Sequence, residues 1–177
     1  SMNLLEYIII NGASKFTKDK KQVLLLSEKV HHIKKYFIET DEFDTSERKV
    51  LNLGHSFGHA LEAFLEYEIP HGIGVLFGLI LAIDFSKFLF KCKDSKQYEN
   101  LKLIKSNIYK LLEIYSPIKP EIVSSYIKSN QEGFLGFLSR DKKNTTYDAY
   151  NLVLFKNETV QLVDIEKKMM IKYLDSI

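Results

Sequence analysis

The sequence predicts a mainly α fold: a multi-helix domain closed by a small C-terminal β-hairpin. Three observations lead there. Only three prolines and eight glycines punctuate 177 residues, too few to break the chain often. Residues 4–10, 22–38, 48–67, 73–90 and 97–115 carry apolar side chains at three- and four-residue spacing, the period of a helix face. Past residue 149 the chain changes character, with β-branched and aromatic runs at 149–155 and 159–163 flanking Lys156-Asn157-Glu158, a hairpin pattern.

The elements follow in order. After a first short helix over residues 4–10, Val23, Leu26, Val30, Ile33 and Phe37 draw one apolar stripe and leave Lys29, His32 and Lys35 on other faces; this second helix is expected to dock on a core. Residues 41–46 are a polar break whose Asp, Ser and Thr side chains can cap, so a new helix is expected just before Arg48. Pro70 and Gly72 mark the next connection. The longest uncharged apolar run, residues 73–83, has 11 members before Asp84; that length suits a buried core helix rather than a membrane span. Pro117 and Pro120 bracket a turn, and residues 121–138 read as one or two helices broken near Gly133 and Gly136. Beyond the hairpin, helical spacing returns over residues 164–177 with Ile165, Met169, Ile171 or Lys172, and Tyr173.

With 45% apolar and 27% charged residues, the chain reads as one domain over residues 1–177, able to remove roughly 70% of its unfolded surface from water. Lys and Arg number 25 against 23 Asp and Glu, a net charge of +2. That balance argues against nucleic acid or an anionic membrane as partner, so any anion site must be local. The lone cysteine, Cys92, excludes an intrachain disulfide and a cysteine-rich zinc module and fits a reducing, cytoplasmic setting. The opening Ser1-Met2 has the look of a cloning scar, which leaves open that the chain is cut from a longer protein.

Chemistry concentrates in the histidines. Three of the five fall between residues 55 and 71: His55 and His59 in Gly54-His-Ser-Phe-Gly-His, and His71 in Pro70-His-Gly. Residues four apart on a helix share a face, so His55 and His59 can point into one cavity. Gly54 and Gly58 form a small stripe beside them. Two mid-helix glycines cost about 1 kcal/mol each relative to alanine, a penalty understandable if another backbone or a substrate must come close. Two histidines on neighbouring helices plus a carboxylate would make an open metal site of the catalytic type; capping or core histidines are the other reading. His31 and His32 read as surface or boundary residues. On a continuous helix Arg48, Asn52, His55 and His59 would line one polar face, although Arg48 could instead pair with Asp44 or Glu47.

The run Arg48-Lys-Val-Leu-Asn52-Leu-Gly54-His55-Ser-Phe-Gly58-His59-Ala-Leu-Glu62, with Pro70-His71-Gly72 and the Gly78-containing apolar helix, resembles the 3-dehydroquinate synthase family. A His-Gly segment alone would also suit glycerol and iron-dependent alcohol dehydrogenases. The Arg-x3-Asn-x2-His-x3-His pattern is similar to dehydroquinate synthase and its sugar-phosphate cyclase relatives, and Arg140-Asp-Lys-Lys143 resembles the family's Asp-Lys-Lys segment. The likeness runs from about Lys34 to the C-terminus and corresponds to the helical C-terminal half of these enzymes. No Gly-x-Gly-x2-Gly follows a strand, so the N-terminal NAD-binding half is expected to lie outside this chain.

The resemblance implies a phosphate-eliminating, ring-closing lyase of aromatic amino acid biosynthesis, acting on an anionic seven-carbon phosphosugar. It would use zinc or another divalent metal, with NAD supplied through the other half and a homodimer among the assemblies open to it. Taken residue by residue, it implies His55 and His71 as metal ligands and His59 in handling phosphate or a proton. Lys34, Arg48, Asn52 and a lysine of Lys142-Lys143 would contact the substrate's anionic groups and hydroxyls. Glu6 stands either at the family's metal glutamate or at the lysine that follows it, in which case Asn3 or Leu4 replaces the glutamate. Ile73 occupies the place of an acid after His-Gly, removing an expected hydrogen-bond partner for the site, and Asp44 stands where glutamate is usual. Other phosphosugar cyclases and a non-catalytic relative are the competing readings.

Overall fold

In the computed structural model, residues 20–43, 47–91, 96–140, 149–156 and 159–177 are described. Helix α1 (Lys20–Thr40) precedes a 3-10 helix (Glu47–Asn52). Helices α2 (His55–Phe64), α3 (His71–Phe90), α4 (Lys96–Tyr115), α5 (Pro120–Ser129) and α6 (Gln131–Ser139) follow. The antiparallel strands β1 (Ala149–Lys156) and β2 (Thr159–Glu166) precede α7 (Lys167–Leu174). Their register runs from Ala149 opposite Glu166 to Lys156 opposite Thr159. The mainly α fold with a terminal hairpin is therefore what the periodicities predict; the expected helix over residues 4–10 lies outside the described residues.

Helix α3 is the axis of the core. Ile73, Phe77, Ile80, Leu81, Ile83 and Phe85 are buried on it, and α2, α4 and β1 pack around it. By length and hydropathy alone α3 could cross a bilayer, but more than half of its most apolar stretch is buried inside this molecule. Apolar side chains all around such a helix reflect neighbours on several sides. Polar ties complete the packing. Ser86 Oγ accepts from Phe155 N at 3.0 Å and joins α3 to β1. Lys105 Nζ donates to both oxygens of Asp84 at 2.6 and 2.7 Å and joins α4 to α3.

Four expectations need correction. Helix α1 does not dock its whole stripe: Leu26, Val30 and Phe37 are half-buried, whereas Val23 and Ile33 stay exposed. The spacing makes a stripe available; it does not provide a surface to cover it. The expected helix over residues 48–67 is two pieces, because Gly54 takes φ +78° and stands as the N-cap of α2. Helices α5 and α6 part at Asn130 rather than at Gly133 or Gly136. Asn130 leaves helical geometry and its side-chain oxygen accepts from Gly133 N at 3.0 Å, an N-cap bond that starts α6. Finally, β2 runs on to Glu166, and α7 buries Met170, Tyr173 and Leu174 rather than Met169 and Ile171.

Candidate metal centre and cationic cleft

The site is built on the crossing of α2 and α3. At this crossing a Cβ on Gly78 would collide with Gly54 O and come within 2.6 Å of Gly58 N, while one on Gly58 would meet Gly74 O at 3.0 Å. Side chains would hold the two helices apart. The glycine stripe therefore admits another backbone, one of the two partners its spacing allows. Gly54 itself has no room for a side chain, since a Cβ there would meet Leu79 N at 2.8 Å, and its positive φ is one that glycine adopts without steric cost.

The close approach brings His71, the first residue of α3, against the pair on α2. Ring centroids of His55 and His59 are 5.7 Å apart, those of His55 and His71 5.7 Å, and those of His59 and His71 5.5 Å. Three imidazoles thus form a small triangle, with His59 and His71 exposed and His55 half-buried. His55 Nδ1 lies 3.4 Å from Leu53 O; a carbonyl only accepts, so this nitrogen carries the proton of that long contact. His71 Nδ1 donates to Glu62 Oε1 at 2.9 Å. Residue 73 is indeed a buried isoleucine, but His71 is not left without a carboxylate: Glu62 on α2 supplies one. The signal was in the sequence, because Glu62 follows His59 by three residues and shares its helix face.

Arg48 and Asn52 do not continue the histidine face, since the 3-10 helix and Gly54 rotate them away from it. They reach the same region by another route. Lys34, Ile38, Arg48, Leu51, Asn52 and His55 line a cleft of about 420 Å³ between α1 and the start of α2. Arg48 is held on both sides: its backbone N–H donates to Asp41 Oδ2 at 3.1 Å, and Nη1 donates to Glu42 O at 3.0 Å. Two cationic side chains, an amide and an imidazole face a cleft whose lining, among the described residues, contains no carboxylate, a local field suited to an anion. His59 does not line this cleft. Glu6, Asp44, Lys142 and Lys143 lie outside the described residues, and Arg140 ends α6 with its guanidinium 5.0 Å from the centre of the Phe137 ring.

Among the described residues no three His, Cys, Asp or Glu side chains are disposed as a complete ligand set. The donor chemistry nevertheless fits a divalent transition metal in part. His55 and His71 stand on adjacent helices, each with Nδ1 turned to an oxygen acceptor, an arrangement that would leave Nε2 of a neutral ring available to a metal. Rings sharing one tetrahedral ion through nitrogens at about 2.0–2.1 Å have centres roughly 5 Å apart, a spacing all three pairs of the triangle approach.

The profile of the 3-dehydroquinate synthase C-terminal domain matches residues 3–144. Similar proteins include the bifunctional 3-dehydroquinate synthase/phosphatase of Fusobacterium nucleatum, 29% identical over 97% of this chain and 24% of its own. The 3-dehydroquinate synthase of Pelagibacter ubique is 32% identical over 86% of this chain and 42% of its own. That of Dictyoglomus turgidum is 33% identical over 93% and 43%. This chain thus spans from just under a quarter to under half of the length of these relatives.

Proposed function

The chain belongs to the 3-dehydroquinate synthase family, matched through its C-terminal domain, and from that membership we propose that it is the metal- and substrate-binding half of a phosphate-eliminating, carbocycle-forming lyase of the shikimate pathway. The observation that carries the reading is the convergence of His55, His59 and His71 beside a cleft lined by Lys34, Arg48 and Asn52. Its partner would be an N-terminal half that holds NAD, and its setting the cytoplasm.

His55 and His71 would hold a divalent metal, zinc by family likeness, with Glu6 the candidate for a third ligand. When bound, such an ion polarises a hydroxyl or carbonyl oxygen as a Lewis acid. The chain's own residues do the rest. Lys34 and Arg48 would hold the charged groups of a seven-carbon phosphosugar through charge-assisted hydrogen bonds, and Asn52 can both donate to and accept from its hydroxyls. The Arg48 guanidinium is already oriented by its bond to Glu42 O, while Asp41 holds the backbone N–H, which lowers the reorganisation needed on binding. His59, exposed beside His71, would exchange a proton with the substrate or contact its phosphate. Lys142 or Lys143 would add a further cationic contact.

Metal content tests the reading. Protein joined to its nucleotide-binding half and prepared without chelator is expected to carry about one zinc per chain. His55→Ala and His71→Ala should lose it, and His59→Ala should keep the metal while losing turnover. Metal-free wild-type protein would favour a non-catalytic relative, and loss of zinc in His59→Ala would overturn its assigned role. Ile73, in the place of an acid, favours one second reading: a cyclase for another phosphosugar. Turnover of such a sugar, with none of the shikimate-pathway substrate, would replace the first reading by that one.

A further inference from the structure

Glu62 is a carboxylate withdrawn from water beneath an exposed ring: its side chain keeps 12% of its accessible surface, against 58% for His71. Burying a carboxylate is costly without a hydrogen-bond partner, and Glu62 has one in His71 Nδ1 at 2.9 Å. An ionised carboxylate can only accept, so the proton of that bond sits on Nδ1. A neutral imidazole carries one N–H, which leaves the lone pair on Nε2. The backbone makes this geometry possible. A Cβ on Gly74 would lie 2.6 Å from Glu62 Oε1 and 2.8 Å from its Cγ, so glycine at position 74 is what lets the carboxylate pass alongside α3 to the ring at the helix start.

We propose that Glu62 is a positioning residue that locks His71 in the Nδ1–H tautomer and leaves Nε2 as the ring's ligating atom, with Gly74 holding the space the carboxylate occupies. The consequence for metal binding rests on the function proposed above; the tautomer belongs to the metal-free chain. A carboxylate reaching the ring from α2 also couples the two helices at the point where their histidines meet, so ring orientation follows the packing of α2 on α3.

Long-range proton–nitrogen correlation spectra of the metal-free, nitrogen-15-labelled chain read the tautomer of His71 directly. Recorded at a pH high enough for the imidazole to be neutral, the expected spectrum has a protonated-type Nδ1 and an unprotonated-type Nε2. In Glu62→Gln the amide can donate as well as accept, so the two tautomers should mix and zinc affinity should fall roughly 10- to 100-fold. Gly74→Ala, which displaces the carboxylate without removing it, should move both readouts the same way. An Nε2–H tautomer in the wild-type chain would overturn the proposal, as would an unchanged His71 spectrum in folded Glu62→Gln; the wild-type spectrum decides even if the variants fail to fold. A locked tautomer in a chain that takes up no zinc upholds the role of Glu62 and removes the metal reading. Zinc uptake with an unlocked ring does the reverse.

Discussion

At the scale of single residues, the buried phenol of Tyr173 shows how one polar atom shapes the response to pH. Its ring packs between Phe85 and Phe88, with centroids 4.9 and 5.6 Å away, and its hydroxyl is buried with no hydrogen-bond partner among the described residues. Desolvation, with Asp84 adding a repulsive charge, pushes its pKa well above the usual 10.0. The sign follows from proton counting. Above pH 10.0 the unfolded chain loses this proton while the folded chain keeps it, so stability falls as pH rises past that point and is unaffected below it. Lys87 acts oppositely: desolvation lowers its pKa from 10.5, so the unfolded chain binds more protons just below that value and stability rises with pH there. Tyr173→Phe removes the unsatisfied hydroxyl and keeps the ring. It should raise stability at neutral pH by about 1 kcal/mol and make the decline above pH 10.0 shallower by the contribution of this one group, both measurable by urea unfolding across that range.

At the scale of elements, the α2–α3 crossing and the exposed face of α6 make opposite demands on glycine. Gly78 sits where a methyl group would strike the Gly54 carbonyl, itself the acceptor for Gly58 N at 2.8 Å. Gly78→Ala should therefore cost about 1–3 kcal/mol through overpacking, and, because α2 must move, weaken zinc binding at His55 and His71. Gly136 is exposed, and a Cβ there would meet nothing within 4 Å. Gly136→Ala should stabilise by about 0.4–1 kcal/mol through helix propensity and lower unfolded-state entropy. Denaturant midpoints of the two variants should move in opposite directions. Gly54 and Gly58 were legible in sequence as a stripe, but glycine roles were not: Gly54 looked mid-helix and proved a left-handed cap, and Gly133 looked like a break and proved the residue that Asn130 caps. Nothing in local spacing tells a glycine required by a neighbouring helix from one that merely interrupts.

Across the whole molecule, burial is uneven. Helix α3 lies in the core, whereas α1 leaves Leu24, Leu25, Tyr36 and Ile38 exposed, and local stability tracks buried apolar contact. Amide hydrogens of α1 should therefore exchange markedly faster than those of α3 in native-state exchange; equal protection would show that α1 is held as firmly as the core. The cationic cleft spans this gradient, because Lys34 stands on α1 while Asn52 and His55 stand beside α2. Ordering α1 would therefore complete the anion-facing wall.

Helix identity, the terminal hairpin, the His-x3-His pair and the cationic residues were all determined along the chain itself, because periodicity and side-chain type are local properties that need no partner to be read. Only the tertiary structure decided that His71 meets His55 and His59, that Glu62 binds His71, and that Arg48 and Asn52 reach the site across a broken helix instead of along a continuous one. The first two outcomes depend on how closely α2 and α3 approach, a distance set by Gly54, Gly58, Gly74 and Gly78 acting between segments, and the third on how α1 lies against the 3-10 helix and the start of α2, geometries no single stretch of residues contains.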